Sequence, residues 1–156
     1  MKHLKIWHDE GSVSRAIIER FAQQAGVQFP ETYISLISQH DYLYLEDNIF
    51  DFVNSDGEKD ERDIVFFGYK SEIADGSSIH TDSQINDEYA YGNQIIAFGC
   101  SGNGDYICFD YRHHSNEPSI VLMYHDNFIE DGSGNIRMQV SHIANNFDDF
   151  LLKLHS

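Results

Sequence analysis

Two adjacent residues, His125 and Asp126, offer an imidazole beside a carboxylate, the combination that general-base catalysis uses. In a hydrolase such a base activates a serine or cysteine that stands on a sharp turn between a strand and a helix. Segment Gly99–Gly104 places a serine among glycines, but it lacks the Gly-x-Ser-x-Gly spacing of that turn. We therefore predict no catalytic residue, and a hydrolase using the His-Asp pair is the least favoured interpretation.

Nine histidines and a loop rich in aspartate and glycine invite a search for a metal site. His113 and His114 are adjacent, whereas the two histidines of a helical zinc pair stand four residues apart. A calcium loop counted from Asp131 needs glycine at its sixth position and glutamate at its twelfth, where this chain has Ile136 and His142. We predict neither a metal nor a cofactor.

Asp105 and Asp110 are candidates for an acid–base pair of carboxylates. Their odd separation along a predicted strand directs the two side chains to opposite faces, which opposes a shared site. We expect structural roles instead. Asp105 is predicted to accept hydrogen bonds from turn amides, and Asp110 to anchor a neighbouring loop or an arginine such as Arg112.

Charge is the most unusual property of the composition. The chain has 26 Asp and Glu against 10 Lys and Arg, a formal net charge of −16. Such a charge repels phosphate backbones and anionic lipid, so we predict no direct contact with nucleic acid or membrane. Two interpretations stay open: the charge keeps the protein soluble, or it matches the surface of a basic protein partner.

A short segment concentrates this negative charge. Its acidic residues are Asp56, Glu58, Asp60, Glu61 and Asp63. Glu72 and Asp75 are predicted to extend the same patch if the loops lie together. A solvated loop and a contact for a basic partner are both compatible with the cluster. High affinity would also need an apolar or aromatic anchor. Tyrosines suit that role because they combine contact area with a polar tip, and the candidates are Tyr42, Tyr44, Tyr89 and Tyr91.

Helical spacing of apolar residues predicts three helices. The first begins at Ser12 or Ser14 and ends at Gly26, a typical residue after a helix. The second has Pro30 at its first position and ends near Gln39. The last covers Ser141–Leu154, with Ser141 as its cap. Met1–Gly11 is read as a polar lead-in.

Runs of β-branched and aromatic residues between the helices predict strands. They cover Asn48–Val53, Asp63–Tyr69, Gln94–Cys100, Asp105–Tyr111, Ser119–Tyr124 and Ile136–Val140. The short connections favour antiparallel pairing. Asn54–Arg62 is read as a polar loop, and residues 70–92 as a loop in which Ser71–Asp75 or Ser83–Tyr91 could hold a helical turn. The prediction is one α+β domain over residues 1–156, with a mostly antiparallel sheet of five or six strands.

Ser101, Gly102, Asn103 and Gly104 predict a tight turn that joins Gln94–Cys100 and Asp105–Tyr111 as a central hairpin, because glycine and asparagine accept positive φ. The two cysteines, Cys100 and Cys108, lie at different distances from this turn. They would not face each other across the hairpin, so we expect no disulfide. Reduced thiols, together with an N-terminal segment that lacks the apolar stretch of a signal peptide, favour a cytoplasmic location.

Taken in order along residues 12–154, several steps of the chain resemble the SMI1/KNR4 family of the SUKH superfamily. They are an apolar-Pro-x-x-Tyr step between the first two helices, a Gly-Asp followed five residues later by Asp, the strand PSIVLMYHD, and an apolar closing helix. The motif positions are Pro30, Tyr33, Gly104, Asp105, Asp110, His125, Asp126 and Phe147.

This resemblance implies a mixed helix–sheet fold that serves as a binding scaffold without catalytic residues. Many bacterial members of the family are immunity proteins that neutralise a cognate toxin, often a nuclease. Together with the net charge of −16, the resemblance predicts a protein partner, namely a basic toxin domain. A regulatory scaffold for an endogenous signalling protein is the alternative. The oligomeric state is left open.

Overall fold

The computed structural model of the chain describes residues 4–70 and 78–156. The helices are α1 (Arg15–Ala25), α2 (Glu31–Gln39), α3 (Ile79–Asp82) and α4 (Phe147–Lys153). The strands are β1 (Ile6–His8), β2 (Tyr44–Leu45), β3 (Ile49–Val53), β4 (Lys59–Asp63), β5 (Val65–Phe66), β6 (Ile95–Cys100), β7 (Tyr106–Asp110), β8 (Ser119–Glu130) and β9 (Ile136–Ala144).

The central sheet has five strands in the order β5-β6-β7-β8-β9, and every neighbouring pair is antiparallel. Two smaller antiparallel pairs, β1–β2 and β3–β4, flank it. The predicted α+β class with a mostly antiparallel sheet of five or six strands is confirmed, because the central sheet has five strands. The structure adds β1, in the N-terminal segment that the sequence predicts as a polar lead-in.

Local sequence explains the first helix. The Ser14 side chain accepts a hydrogen bond from the Ala16 amide, and Gly26 ends the helix at a φ of 78°. Glycine suits that position because a Cβ atom penalises positive φ. Ile18 and Ala22, four residues apart, are the buried face.

Aromatic side chains fill the space between the helices and the sheet. The rings of Phe98 and Phe109, on adjacent strands, stack with centroids 4.2 Å apart. Tyr33 of α2 and Phe147 of α4 meet edge to face at 5.5 Å, above that pair. The Tyr33 hydroxyl lies 2.8 Å from that of Tyr69, so each buried hydroxyl has a partner. Two motif residues, Tyr33 and Phe147, thus pack the core.

The polar segment predicted as a loop contains a strand. β4 pairs with β3 in continuous register from Ile49↔Asp63 to Val53↔Lys59. The interpretation was wrong because a strand made of charged residues carries no apolar alternation to reveal it. β3 supplies the alternation instead, with Phe50 and Phe52 buried on one face. Charged residues are common on strands at a sheet edge, where they discourage pairing with other chains.

The Asp63–Tyr69 strand is also shorter than predicted. Asp63 still pairs with β3, whereas the next strand covers only Val65–Phe66 and joins the central sheet. Ile64 separates the two sheets. Further along, Ser71–Asp75 falls outside the described residues. Ser83–Tyr91 forms successive turns and no helix; a short helix, α3, ends just before it.

The two last strands are longer than the sequence predicted. β8 continues past Tyr124 to Glu130, and β9 continues past Val140 to Ala144. Ser141 is therefore a strand residue and not a helix cap. Asn146 takes that role, because its side chain accepts the amide hydrogen bond of Asp149.

The structure corrects the predicted starts of two helices. Ile143 and Ala144 stand at helical spacing from the residues of α4, yet Ala144 pairs with Ile120 of β8 and belongs to the sheet. Pro30 is the residue before α2 and not its first helical residue, which is Glu31. The proline still fixes the backbone just outside the helix.

Candidate functional site

Asp105 is the centre of a buried hydrogen-bond network at the start of β7. Its carboxylate accepts from Arg62 Nε at 3.2 Å and from the side-chain amide of Asn103 at 3.1 Å. It also accepts from the His125 backbone amide at 3.1 Å and lies 2.7 Å from His125 Nδ1. The turn thus contributes one donor, and the others come from β4 and β8. One carboxylate joins three parts of the chain.

The protonation of Asp105 follows from these contacts. Burial raises the pKa of the Asp105 carboxyl, but the hydrogen bonds from His125, Arg62 and Asn103 outweigh burial and leave the pKa lowered. Asp105 is 1% exposed. An ionised carboxylate with this many donors stabilises the fold and has little capacity to accept a proton from a substrate.

Asp110, at the other end of β7, makes a bidentate ion pair with Arg112. Arg112 Nε and Nη2 lie 3.0 Å and 2.9 Å from the two carboxylate oxygens. The Arg112 guanidinium also lies over the ring of Tyr91, 5.2 Å from its centroid. Asp105 and Asp110 each have a separate arginine, so the structure does not bring them together as an acid–base pair.

The acidic segment is divided by the alternation of β4. Asp60 lies on the same side as Phe52, its partner across the strand pair, and accepts from Arg62 Nη1 at 2.9 Å. The Arg62 guanidinium lies 5.5 Å from the centre of the Phe52 ring. Glu61 points the other way and is exposed. Asp60 and Asp105 thus share the Arg62 guanidinium beside the core.

The exposed acids of this segment are Asp56, Glu58 and Glu61. Asp63 is less available because it accepts the amide hydrogen bond of Gly102 at 3.0 Å. The remaining members of the predicted patch, Glu72 and Asp75, lie outside the described residues. Of the predicted partner-binding residues in the described part of the chain, three are therefore exposed to solvent.

The turn that carries Asp56 rests against the middle of β8. The Ser55 amide donates to the Tyr124 hydroxyl at 3.1 Å, and Asn127 Nδ2 donates to Ser55 Oγ at 3.2 Å. Asn54 shapes the turn, because its side-chain oxygen accepts from the amides of both Asp56 and Glu58. The acidic turn consequently lies beside the outer half of the β8–β9 hairpin.

Sequence reasoning missed the apolar residues of that outer half. Phe128 and Ile136 are 44% and 47% exposed. Tyr89, which was among the candidate anchors, is 41% exposed, and its ring centroid lies 5.6 Å from that of Phe128. The other tyrosine candidates, Tyr42, Tyr44 and Tyr91, are only partly exposed. The sequence signal for this strand end was the order Phe128-Ile129-Glu130, in which Phe128 and Glu130 share one face of a strand and Ile129 lies on the other.

Two groups of side chains in the described residues have donor atoms close enough to hold a metal ion. The first group is Asp51, Glu61 and His155. It is accessible to solvent, and His155 Nε2 lies 3.1 Å from an Asp51 oxygen. The second adds Asp126 to Asp105 and His125, but hydrogen bonds already occupy both Asp105 oxygens. Neither arrangement resembles a buried metal centre with ligands held for that purpose.

The thiols offer little nucleophilic chemistry. Burial raises the pKa of the Cys100 thiol to about 11, and it raises the pKa of the Cys108 thiol as well. Both are therefore protonated at neutral pH. Cys108 stands opposite Ala97 across the hairpin, and Cys100 stands opposite Tyr106, as expected for cysteines that do not form a disulfide with each other.

Among the described residues, no helix has the length and apolar character needed to cross a bilayer. A comparison with curated proteins finds no match for this chain. The model of the SMI1/KNR4 family (SUKH-1) matches residues 12–153. The match extends from the residues before α1 to the last residue of α4 and includes the Asp105 network. The chain therefore belongs to the SMI1/KNR4 (SUKH-1) family, which includes immunity proteins.

Proposed function

We propose that this protein is an immunity protein that binds a cognate toxin domain in the cytoplasm and neutralises it without catalysis. Family membership supports a protein partner. The single observation that carries the choice of surface is the exposure of Asp56, Glu58 and Glu61 on the β3–β4 hairpin. The two protonated thiols are compatible with a reducing compartment.

The chemistry of the partner follows from charge. A chain with a net charge of −16 is attracted over long range to a basic surface. Toxin domains that cut nucleic acid need such a surface to hold their substrate. An acidic face that docks there occupies the substrate groove and competes with the phosphate backbone. Neutralisation then requires one bound molecule of this protein for each toxin domain.

The motif residues have a supporting role in this proposal. The Asp105 network holds β4 against the turn of the β6–β7 hairpin through Arg62. It thereby fixes the strand that presents Glu61 and the turn that presents Asp56 and Glu58. Asp105 and Arg62 thus position the surface and make no contact with the toxin themselves.

The test is protection together with direct binding. The toxin domain encoded beside this gene is expressed with and without the protein in a sensitive strain, and the affinity of the purified pair is measured at several salt concentrations. We expect rescue of growth and binding that weakens steeply as salt rises. Absence of both rescue and binding would refute the proposal.

A charge-matched pair of variants locates the surface. Asp56→Asn with Glu58→Gln removes two charges from the acidic turn. Glu117→Gln with Asp148→Asn removes two exposed charges near the opposite end of β8. We expect the first pair to slow association and reduce its dependence on salt, and the control pair to have a much smaller effect. Equal effects would show that only the total charge matters.

A further inference from the structure

The outer end of the β8–β9 hairpin extends beyond the rest of the central sheet. β8 has 12 residues, whereas β7 has 5 and pairs only with Ser119–Met123. Beyond that point β8 pairs with β9, from Phe128↔Met138 to Glu130↔Ile136. Residues directly opposite each other share a face of a strand pair. Phe128 and Ile136 consequently lie diagonally on one face of a projecting ribbon.

Tyr89 completes an apolar surface with these two side chains. Its ring meets that of Phe128 edge to face, with the ring planes at 72°. The Met138 amide donates to the Tyr89 carbonyl at 2.8 Å, and Arg137 Nη1 donates to the neighbouring Glu88 carbonyl at 3.1 Å. We name Tyr89, Phe128 and Ile136 the apolar tip. The segment that carries Tyr89 is thus fixed to the edge of β9.

Single exposed apolar residues are normal on protein surfaces. The apolar tip differs because three large side chains are gathered there and their backbones are held by hydrogen bonds. A preorganised group of this kind binds at a lower entropic cost than a mobile one. The Tyr89 ring supplies a further feature of binding sites, an apolar body with a polar end.

Acidic residues border the apolar tip. Asp126 and Glu130 lie on β8 on either side of Phe128 and are exposed. The acidic turn of the β3–β4 hairpin reaches the same region through the Asn127–Ser55 hydrogen bond. The nearest cation in the paired strands, Arg137, is itself 3.5 Å from Asp131. The border is therefore negative, and it is complementary to a basic partner.

From this arrangement we infer that the apolar tip is the anchor of the toxin interface. The inference rests on the proposed function and assigns the affinity-determining contact to one place. The partner segment seated there carries an aromatic or aliphatic side chain flanked by lysine or arginine. That side chain packs against Phe128 and Ile136 while its basic neighbours meet Asp126, Glu130 and the acidic turn. Apolar contact slows dissociation, and the charged border speeds association.

The experiment separates these two contributions by kinetics. Association and dissociation rates for the toxin domain encoded beside this gene are measured with the wild-type protein, Phe128→Ser and Ile136→Ser. We expect each variant to dissociate at least tenfold faster while its association rate and salt dependence stay close to wild type. Circular dichroism of each variant verifies that it is folded.

Trp7→Ser is the matched control, because Trp7 is 68% exposed and lies on a different strand pair, where it contacts Tyr44. We expect its rates to equal those of the wild type. If Trp7→Ser speeds dissociation while the two hairpin variants do not, the anchor lies on β1 and the inference is overturned. Wild-type binding that neither hairpin variant affects overturns it as well, while the proposed function survives. Failure of the wild type to bind overturns both.

Discussion

The β6–β7 and β3–β4 hairpins both carry acidic residues, but these are buried and ion-paired in the first hairpin and exposed at the turn of the second. Asp105 and Asp110 of the first are 1% and 4% exposed, and each has an arginine partner. Asp56 and Glu58 of the second face solvent at the turn. The difference shows that burial and ion pairing separate the acidic residues that stabilise the fold from those that stay accessible to solvent.

Arg62 connects the two hairpins, and it stands next to an exposed acidic residue in the chain. It belongs to β4, yet its guanidinium is directed inward to Asp105 of the other hairpin. Its neighbour Glu61, one position away, points outward. A shift of one residue in the register of β4 would exchange these directions. The strand register therefore decides which charges stabilise the fold and which are available to a partner.

The largest effect on stability is expected from Asp105→Ala. The substitution removes the buried carboxylate that accepts from Arg62, Asn103 and the His125 amide, and the loss of this shared acceptor costs about 3 kcal/mol in the free energy of unfolding. Chemical denaturation measures the change. Asp126→Ala, at an exposed carboxylate of the same motif, should change stability by less than about 0.5 kcal/mol. Similar losses for the two variants would remove the distinction between buried and exposed acids.

Acid should weaken the same network without a mutation. The pKa of Asp105 is lowered in the folded protein, so its contribution to stability is complete above the unfolded-state pKa near 3.8. That contribution is lost as the pH falls below this value and through the folded-state pKa. We expect the unfolding free energy of the wild type to fall more steeply between pH 4 and pH 2 than that of Asp105→Asn. Parallel curves would show that Asp105 does not titrate as described.

A smaller effect is expected at the turn of the β6–β7 hairpin. Gly104 has a φ of +95°, and a side chain at that angle is strained. Gly104→Ala should therefore lower the unfolding free energy by about 1–2 kcal/mol. Gly132→Ala in the β8–β9 turn is the control, since a Cβ there meets no atom within 4 Å. Equal thermal stabilities of the two variants would contradict the strain at Gly104.

The smallest effect on stability is expected at the acidic turn. Asp56→Asn with Glu58→Gln should leave the unfolding free energy within about 0.5 kcal/mol of the wild type, because both side chains are exposed. The same double variant should slow association with the toxin domain. Thermal denaturation beside stopped-flow binding measures both quantities on one sample. A large loss of stability would show that these acidic side chains stabilise the fold, and it would contradict their assignment to the interface.

The sequence was most informative where local chemistry and packing agree. Ser14, Gly26 and the apolar face of α1 predicted that helix because cap and periodicity point to the same element. The central hairpin was equally clear from its glycine-rich turn. Both features depend on residues that are near each other in the chain.

The sequence was least informative where pairing is long-range. β4 has no apolar pattern of its own and becomes a strand through its register with β3. The roles of Arg62 and His125 as partners of Asp105 also depend on contacts 43 and 20 residues apart along the chain. The apolar tip was missed for the same reason, since Tyr89 meets Phe128 only after the sheet has formed.

The turn shaped by Asn54 has a consequence for how new specificities arise. A single side-chain oxygen accepts from the amides of Asp56 and Glu58, and Gly57 supplies the positive φ of +80° in the same turn. The turn therefore depends on Asn54 and Gly57 and little on the side chains at positions 56 and 58, which can change the charge pattern offered to a partner while the sheet beneath stays intact. Under the proposed function, randomising positions 56 and 58, with Asn54, Ser55 and Gly57 retained, is a direct route to variants that recognise different toxins on the same scaffold.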